Sequence, residues 1–123
     1  MSAKLPPLGD LEHEVASILW AEGEMTAVEV RGRIARELKD ATIRTVLRRL
    51  EEKGYVEHTV AAGTFVYRPR ATADNAAADA LRGIVERFCG GSLERALQAL
   101  IDASVVDQRQ LAAMVGRLKR RTR

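Results

Sequence analysis

Ile43, Val46, Leu47 and Leu50 lie at i, i+3, i+4 and i+7 within ATIRTVLRRLEEKG, the stretch from Ala41 to Gly54. That recurrence puts one apolar stripe on a helix, and the helix must bury it. The opposite face carries Ala41, Arg44, Thr45, Arg48 and Glu52, with Thr42 and Arg49 at its margins. An arginine forks onto a guanine or a phosphate, and a threonine meets a base edge or a phosphate, so this face suits a major groove. An ordinary solvated helix has the same composition. Its neighbours must decide.

Upstream, Leu5-Pro6-Pro7 reads as an extended lead-in, because proline disfavours helix at the residue before it. A first helix is expected from Gly9 or Asp10 to about Ala21, stopped by Glu22-Gly23, with Leu11, Val15, Ile18 and Leu19 as its buried stripe. Trp20 lies off the centre of that stripe and reads as an anchor at the core edge. Thr26 to Glu29 has capping-box spacing and opens a second helix expected to reach Leu38, with Val28, Ile34, Ala35 and Leu38 turned inward. Lys39-Asp40 is a short joint, as in a helix-turn-helix, and Asp40 is the expected N-cap of the third helix. Gly54 ends that helix as a left-handed cap. Tyr55–Val60 and Phe65–Arg68 then read as two strands around Ala61-Ala62-Gly63-Thr64, closed by Pro69. Three helices followed by a hairpin make a winged helix, expected over residues 1–70.

From Ala71 the chain turns alanine-rich and helical. Asp74 is the expected cap of a helix with the stripe Leu81, Ile84, Val85 and Phe88. Gly90-Gly91 breaks it, and Ser92 caps another with Leu93, Leu97, Leu100 and Ile101. Asp107 to Gln110 resembles a capping box before a last helix bearing Leu111, Met114, Val115 and Leu118. So small a unit hardly forms a core unaided. Residues 71–123 are therefore expected to be a helical dimerisation domain, with an intramolecular bundle against the first domain as the alternative. The basic terminus Lys119 to Arg123 reads as a solvated tail.

The overall fold class expected is mainly α with a small β-hairpin. Net charge is +3, a weak signal, but residues 31–53 hold eight Lys/Arg (Arg31, Arg33, Arg36, Lys39, Arg44, Arg48, Arg49 and Lys53) against four acidic residues. A local basic surface of this kind is the footprint of phosphate contact. A single cysteine, Cys89, excludes an intramolecular disulfide and a cysteine-cluster metal site, and it reads as a structural or dimer-buried thiol. No apolar run approaches the roughly 20 residues of a membrane span, and no export signal is evident. A cytoplasmic protein without membrane insertion is expected. His13 and His58 have no evident nucleophile partner, and no phosphate loop, HExxH or nucleophile elbow occurs, so neither an enzyme, a cofactor nor a metal is expected. Two readings remain from the residues: a DNA-binding regulator, or a winged-helix protein–protein adaptor with only nonspecific DNA affinity.

The segment from Glu14 to Leu19-Trp20, the pattern T-x-x-T-x-x-x-R-L-x-x-K-G from Thr42 to Gly54, and the joint Gly91-Ser92-Leu93 resemble the penicillinase repressor (BlaI/MecI) family. The resemblance spans about residues 8 to 120. It implies a homodimeric transcriptional repressor bound to double-stranded, pseudo-palindromic operator DNA. Thr42, Arg44, Thr45, Arg48 and Arg49 would enter the major groove, with Arg68 and the wing along the phosphates and Tyr67 either there or in hairpin packing. It also implies a regulatory protease. In the beta-lactam branch a membrane sensor metalloprotease causes cleavage at an Asn-Phe bond, which aligns near Ala99-Leu100, and neither residue matches. The copper-responsive branch needs a cysteine cluster that Cys89 cannot form. The wing tip, Ala61 to Thr64, lacks the basic residue that relatives often carry there.

Overall fold

The computed structural model describes residues 5–121, so Met1–Lys4 and the end of the basic terminus, Thr122 and Arg123, lie outside the described residues. The order is α1 (Asp10–Glu22), β1 (Met25–Thr26), α2 (Ala27–Arg33), α3 (Asp40–Glu52), β2 (Val56–Ala61), β3 (Thr64–Pro69), α4 (Ala73–Phe88), α5 (Leu93–Asp102) and α6 (Gln108–Arg121). Two compact units divide inside α4, after Ala80.

In the first unit α3 packs on α1, α2 and β2. Its stripe is buried as spaced: Ile43, Leu47 and Leu50 are sealed from solvent beside Val15, Leu19, Val30 and Val56. Each such side chain contributes about 1.5–3 kcal/mol of burial. Gly54, at φ +89°, takes the left-handed conformation that ends α3. The Gly54 N–H donates to the Glu51 carbonyl and the Tyr55 N–H to the Leu50 carbonyl, which aims the chain into β2. The hairpin is tighter than the expected four-residue loop. Its strands run to Ala61 and from Thr64, leaving Ala62 (φ 52°) and Gly63 (φ 77°) as a two-residue turn with both φ positive. The sheet has a third strand that the spacing did not reveal, in the order β1-β3-β2 with Met25 opposite Tyr67. Two residues are too few to show alternation.

The second helix departs from expectation. It ends at Arg33, because Ile34 adopts an extended backbone (ψ 135°) that starts the turn toward α3. Val30 and Ile34 are buried with Ala27 packed beside them, whereas Val28 is 63% exposed and Ala35 also faces solvent. Val28 and Ala35 are seven residues apart and share a face, but it is the other one. The Thr26–Glu29 capping box forms in both directions, at 3.2 and 2.9 Å. Asp40 is the first residue of α3 and not its cap; Lys39 holds the cap position, and Asp40 pairs with Arg31 at 2.9 Å. Asp74 likewise lies inside α4, and the Thr72 hydroxyl accepts from the Asn75 N–H in its place.

The first unit reaches ten residues beyond the expected boundary at 70, and polar anchors show how. The Trp20 indole donates to the Ala71 carbonyl at 2.8 Å, and Ala76 packs against the core. Buried Asp79 accepts from the Leu5 N–H at 3.1 Å. The same lead-in accepts from the Tyr55 hydroxyl at Pro6 and from Lys53 at Pro7. Lys53 also meets Glu12 at 2.7 Å.

Burial is the largest single influence on the Glu12 carboxyl and opposes its ionisation. The Lys53 hydrogen bond, the Gly9 N–H and the charges of Lys53 and Arg49 together outweigh it and hold the carboxyl below its ordinary value. A depressed carboxylate stabilises the fold above its unfolded pKa, and that stability is lost as pH falls through the folded value. Glu12→Gln is therefore expected to cost about 1–3 kcal/mol at neutral pH. In urea unfolding followed through Trp20, the gap to the parent should narrow as pH falls below the ordinary glutamate range and close once the depressed folded value is passed.

The second unit has a different character. Ser92 caps α5 through the Arg95 N–H at 3.1 Å, and Asp107 and Gln110 cap α6 reciprocally at 2.7 and 3.0 Å. Yet no described residue from Leu81 to Arg121 is buried. Leu81, Ile84, Phe88, Leu93, Leu100, Val115 and Leu118 are exposed, and Val85, Leu97, Ile101, Leu111 and Met114 are half-buried. Cys89 is a half-buried free thiol.

Candidate nucleic-acid interface

With its stripe locked into the core, α3 must present its other face. Arg44, Arg48 and Arg49 are exposed there, and Thr42 and Thr45 are half-buried at its edge. The structure thus brings the five sequence-predicted α3 residues onto one helix, with the guanidinia outermost.

Ion pairing sorts the basic cluster. Arg31 pairs with Asp40, Arg33 with Glu22 at 2.8 Å, Arg36 with Glu14 at 2.8 Å, and Lys53 with Glu12. These charges are balanced locally. Arg44, Arg48 and Arg49, together with Lys39 at the N-cap of α3, have no salt-bridge partner among the described residues. The positive field is therefore concentrated on α3, where an anionic backbone would gain most from meeting it.

Arg68 is placed differently. On β3 its Nε lies 3.1 Å from Glu57 and its Nη1 3.8 Å from Glu24, so two carboxylates balance its charge. Tyr67 is a hairpin packing residue, buried in the same core cluster as the α3 stripe. Burial first, then Glu51, pushes its phenol above its ordinary value, while Arg44 and Arg48 pull the other way.

One residue of this region carried no sequence assignment. His58 on β2 reaches back to α3, its Nδ1 2.7 Å from Glu51, and its ring stacks on Phe65 at 4.0 Å between centroids. It fastens the wing to α3. Glu51 and His58 stand on different elements, so neither helical nor strand periodicity could pair them.

Between α3, the start of α2 and the wing lies a groove of about 570 Å³, lined among others by Val28, Arg44, Arg48, His58 and Phe65. No group of three or more His, Cys, Asp or Glu side chains is placed to share a metal ion among the described residues. No helix among them is long and apolar enough to cross a membrane.

Comparison with known proteins matches residues 8–120 to the family model described as penicillinase repressor. The chain is 28% identical over 92 residues to the penicillinase repressor of Bacillus licheniformis, covering 73% of this chain and 72% of that one. It is equally 28% identical, over 99 residues, to an uncharacterized 16.5 kDa protein of Latilactobacillus sakei (79% and 68% covered). Among solved structures, the complex of hsRosR-S4 is similar at TM-score 0.52 and 17% identity, over 87% of this chain and 92% of that one. The archaeal chromatin protein TrmBL2, described as showing a novel mode of DNA binding, is similar at TM-score 0.51 and 24% identity, over 82% and 38%. At these identities the structures speak for the winged-helix fold alone.

Proposed function

The chain belongs to the penicillinase repressor family, and from that premise we propose a homodimeric transcriptional repressor that sets one α3 in each of two major grooves of a pseudo-palindromic operator. The observation that carries the reading is that Arg44, Arg48 and Arg49 on α3, with Lys39 at its N-cap, have no salt-bridge partner among the described residues, while Arg31, Arg33, Arg36 and Lys53 are paired. In this reading Arg44 and Arg48 read base edges, Thr42 and Thr45 support them, and Arg49 meets phosphate. Arg68 takes a phosphate only by exchanging one of its carboxylate partners.

The second unit supports dimerisation, because a helical unit with no buried residue needs another surface to cover its apolar stripes. A second copy offers that surface with two-fold symmetry, which matches inverted half-sites. Repression follows from occupying a promoter in the cytoplasm, and no catalysis is required. Proteolysis within the dimer unit would relieve it by separating the half-site contacts. Ala99 and Leu100 lie inside α5, so cleavage there first requires that helix to open.

The test is selection of bound fragments from genomic DNA by the purified full chain, followed by a salt titration on the best fragment. Enrichment of an inverted repeat, bound about a thousandfold or more tighter than random DNA, is the expected result. Equal, salt-sensitive binding to every fragment would overturn it in favour of the adaptor.

A further inference from the structure

We propose that the groove between α3 and the wing binds a small aromatic carboxylate, and that its occupation excludes DNA from the same face. The proposal deepens the repressor reading, on which its DNA-excluding consequence rests, but the site itself stands on the free protein.

The large hydrophobic side chains most exposed in the first unit are Val28, Val60 and Phe65, at 63, 62 and 47%. They cluster. Val28 and Phe65 line the groove, and Val60 is the cross-strand partner of Phe65. Phosphate contact accounts for the arginines here but not for this apolar rim. At about 570 Å³ the groove falls in the range that small ligands occupy.

Its polar complement selects the charge of the occupant. Arg44 and Arg48 are one helical turn apart on α3, both line the groove, and neither has an ion-pair partner among the described residues. Two adjacent guanidinia suit one carboxylate, held by paired N–H donors. Glu51 also lines the groove and would oppose an anion, but its carboxylate is engaged by His58 at 2.7 Å. The His58 ring in turn backs Phe65, with 11° between their planes, and holds it in place as a wall. An aromatic body would lie against Phe65 and Val28 with its carboxylate toward Arg44 and Arg48. That position takes the two guanidinia proposed to read DNA, so ligand and operator compete.

Benzoate is the probe, with acetate and benzylamine as controls lacking the ring and the negative charge. Amide spectra of the DNA-free full chain should show saturable shifts at Val28, Arg44, Arg48 and Phe65 with benzoate and none with either control. Phe65→Ser should weaken benzoate binding about tenfold, with the Trp20-detected unfolding transition retained. Benzoate should also raise the apparent Kd of an operator fragment without saturating, in step with the ratio of its concentration to its own Kd, as competition requires. Non-saturating shifts, or an equal response to benzylamine, would overturn the site. A Phe65→Ser variant that keeps full benzoate affinity but loses preference for thymine in the operator would overturn it too, assigning the rim to thymine methyl groups. Saturable benzoate binding by a chain with no operator preference would leave the site standing and remove the repressor reading.

Discussion

Leu100→Asp is expected to split the dimer and to reduce operator affinity by about 10²–10⁴-fold. The reasoning starts from exposure. Leu100 is 41% exposed on α5, so an aspartate there stays hydrated in a single chain and does not enter a core. At an interface between two copies, the same carboxylate would be buried without a partner, which is strongly unfavourable. Sedimentation should change from the mass of two chains to that of one. Trp20, the single tryptophan, lies in the first unit and reports independently that the winged helix remains folded. The affinity loss follows because each half-site then binds alone, without the high effective concentration that a linked partner supplies. An unchanged sedimentation coefficient would remove α5 from the interface. Loss of the Trp20-detected transition would show instead that the substitution acts within the chain.

Legibility in the sequence followed the strength of local signals. The α3 stripe, the Gly54 stop and three caps, at Thr26, Ser92 and Asp107, were all readable, because each depends on neighbours within one or two turns. The second helix was misread at its end because its apolar residues fit two faces. Ile34 and Leu38 pack inward as expected, whereas Val28 and Ala35 face solvent and Ala27 and Val30 take the core side instead. β1 was invisible because two residues have no period. The lead-in was readable as extended, but its ties to Lys53, Tyr55 and Asp79 span 46 to 74 residues and have no sequence signature. For the site, the basic cluster was legible and its sorting was not. Which arginines are neutralised depends on carboxylates brought in from α1 and α3, such as Glu14, Glu22 and Asp40.

That sorting makes the sharpest prediction about recognition. Arg44→Ala and Arg48→Ala are each expected to weaken operator binding by about 1–3 kcal/mol, the cost of a lost base contact. Neither should alter thermal stability beyond about 0.5 kcal/mol, since exposed side chains without an ion pair hold nothing in the fold. Arg31→Ala, Arg33→Ala and Arg36→Ala should change binding far less, although they carry the same formal charge in the same basic cluster. Their guanidinia are held by carboxylates and lie off α3, so no base contact is lost. Each substitution still removes one positive charge, and the weakening it causes should be salt-dependent and alike for every sequence. Arg49→Ala should likewise weaken binding to all sequences alike and, as a phosphate contact, reduce the salt slope by about one unit. Fluorescence anisotropy on the selected operator and on a scrambled duplex, across several salt concentrations, separates these behaviours. If the five cluster arginines outside Arg49 proved equivalent, binding would depend on total charge and not on the geometry of α3. If Arg44→Ala or Arg48→Ala lost stability in step with affinity, the loss would belong to the fold. The pattern expected here follows from which positive charges the protein leaves for DNA to neutralise.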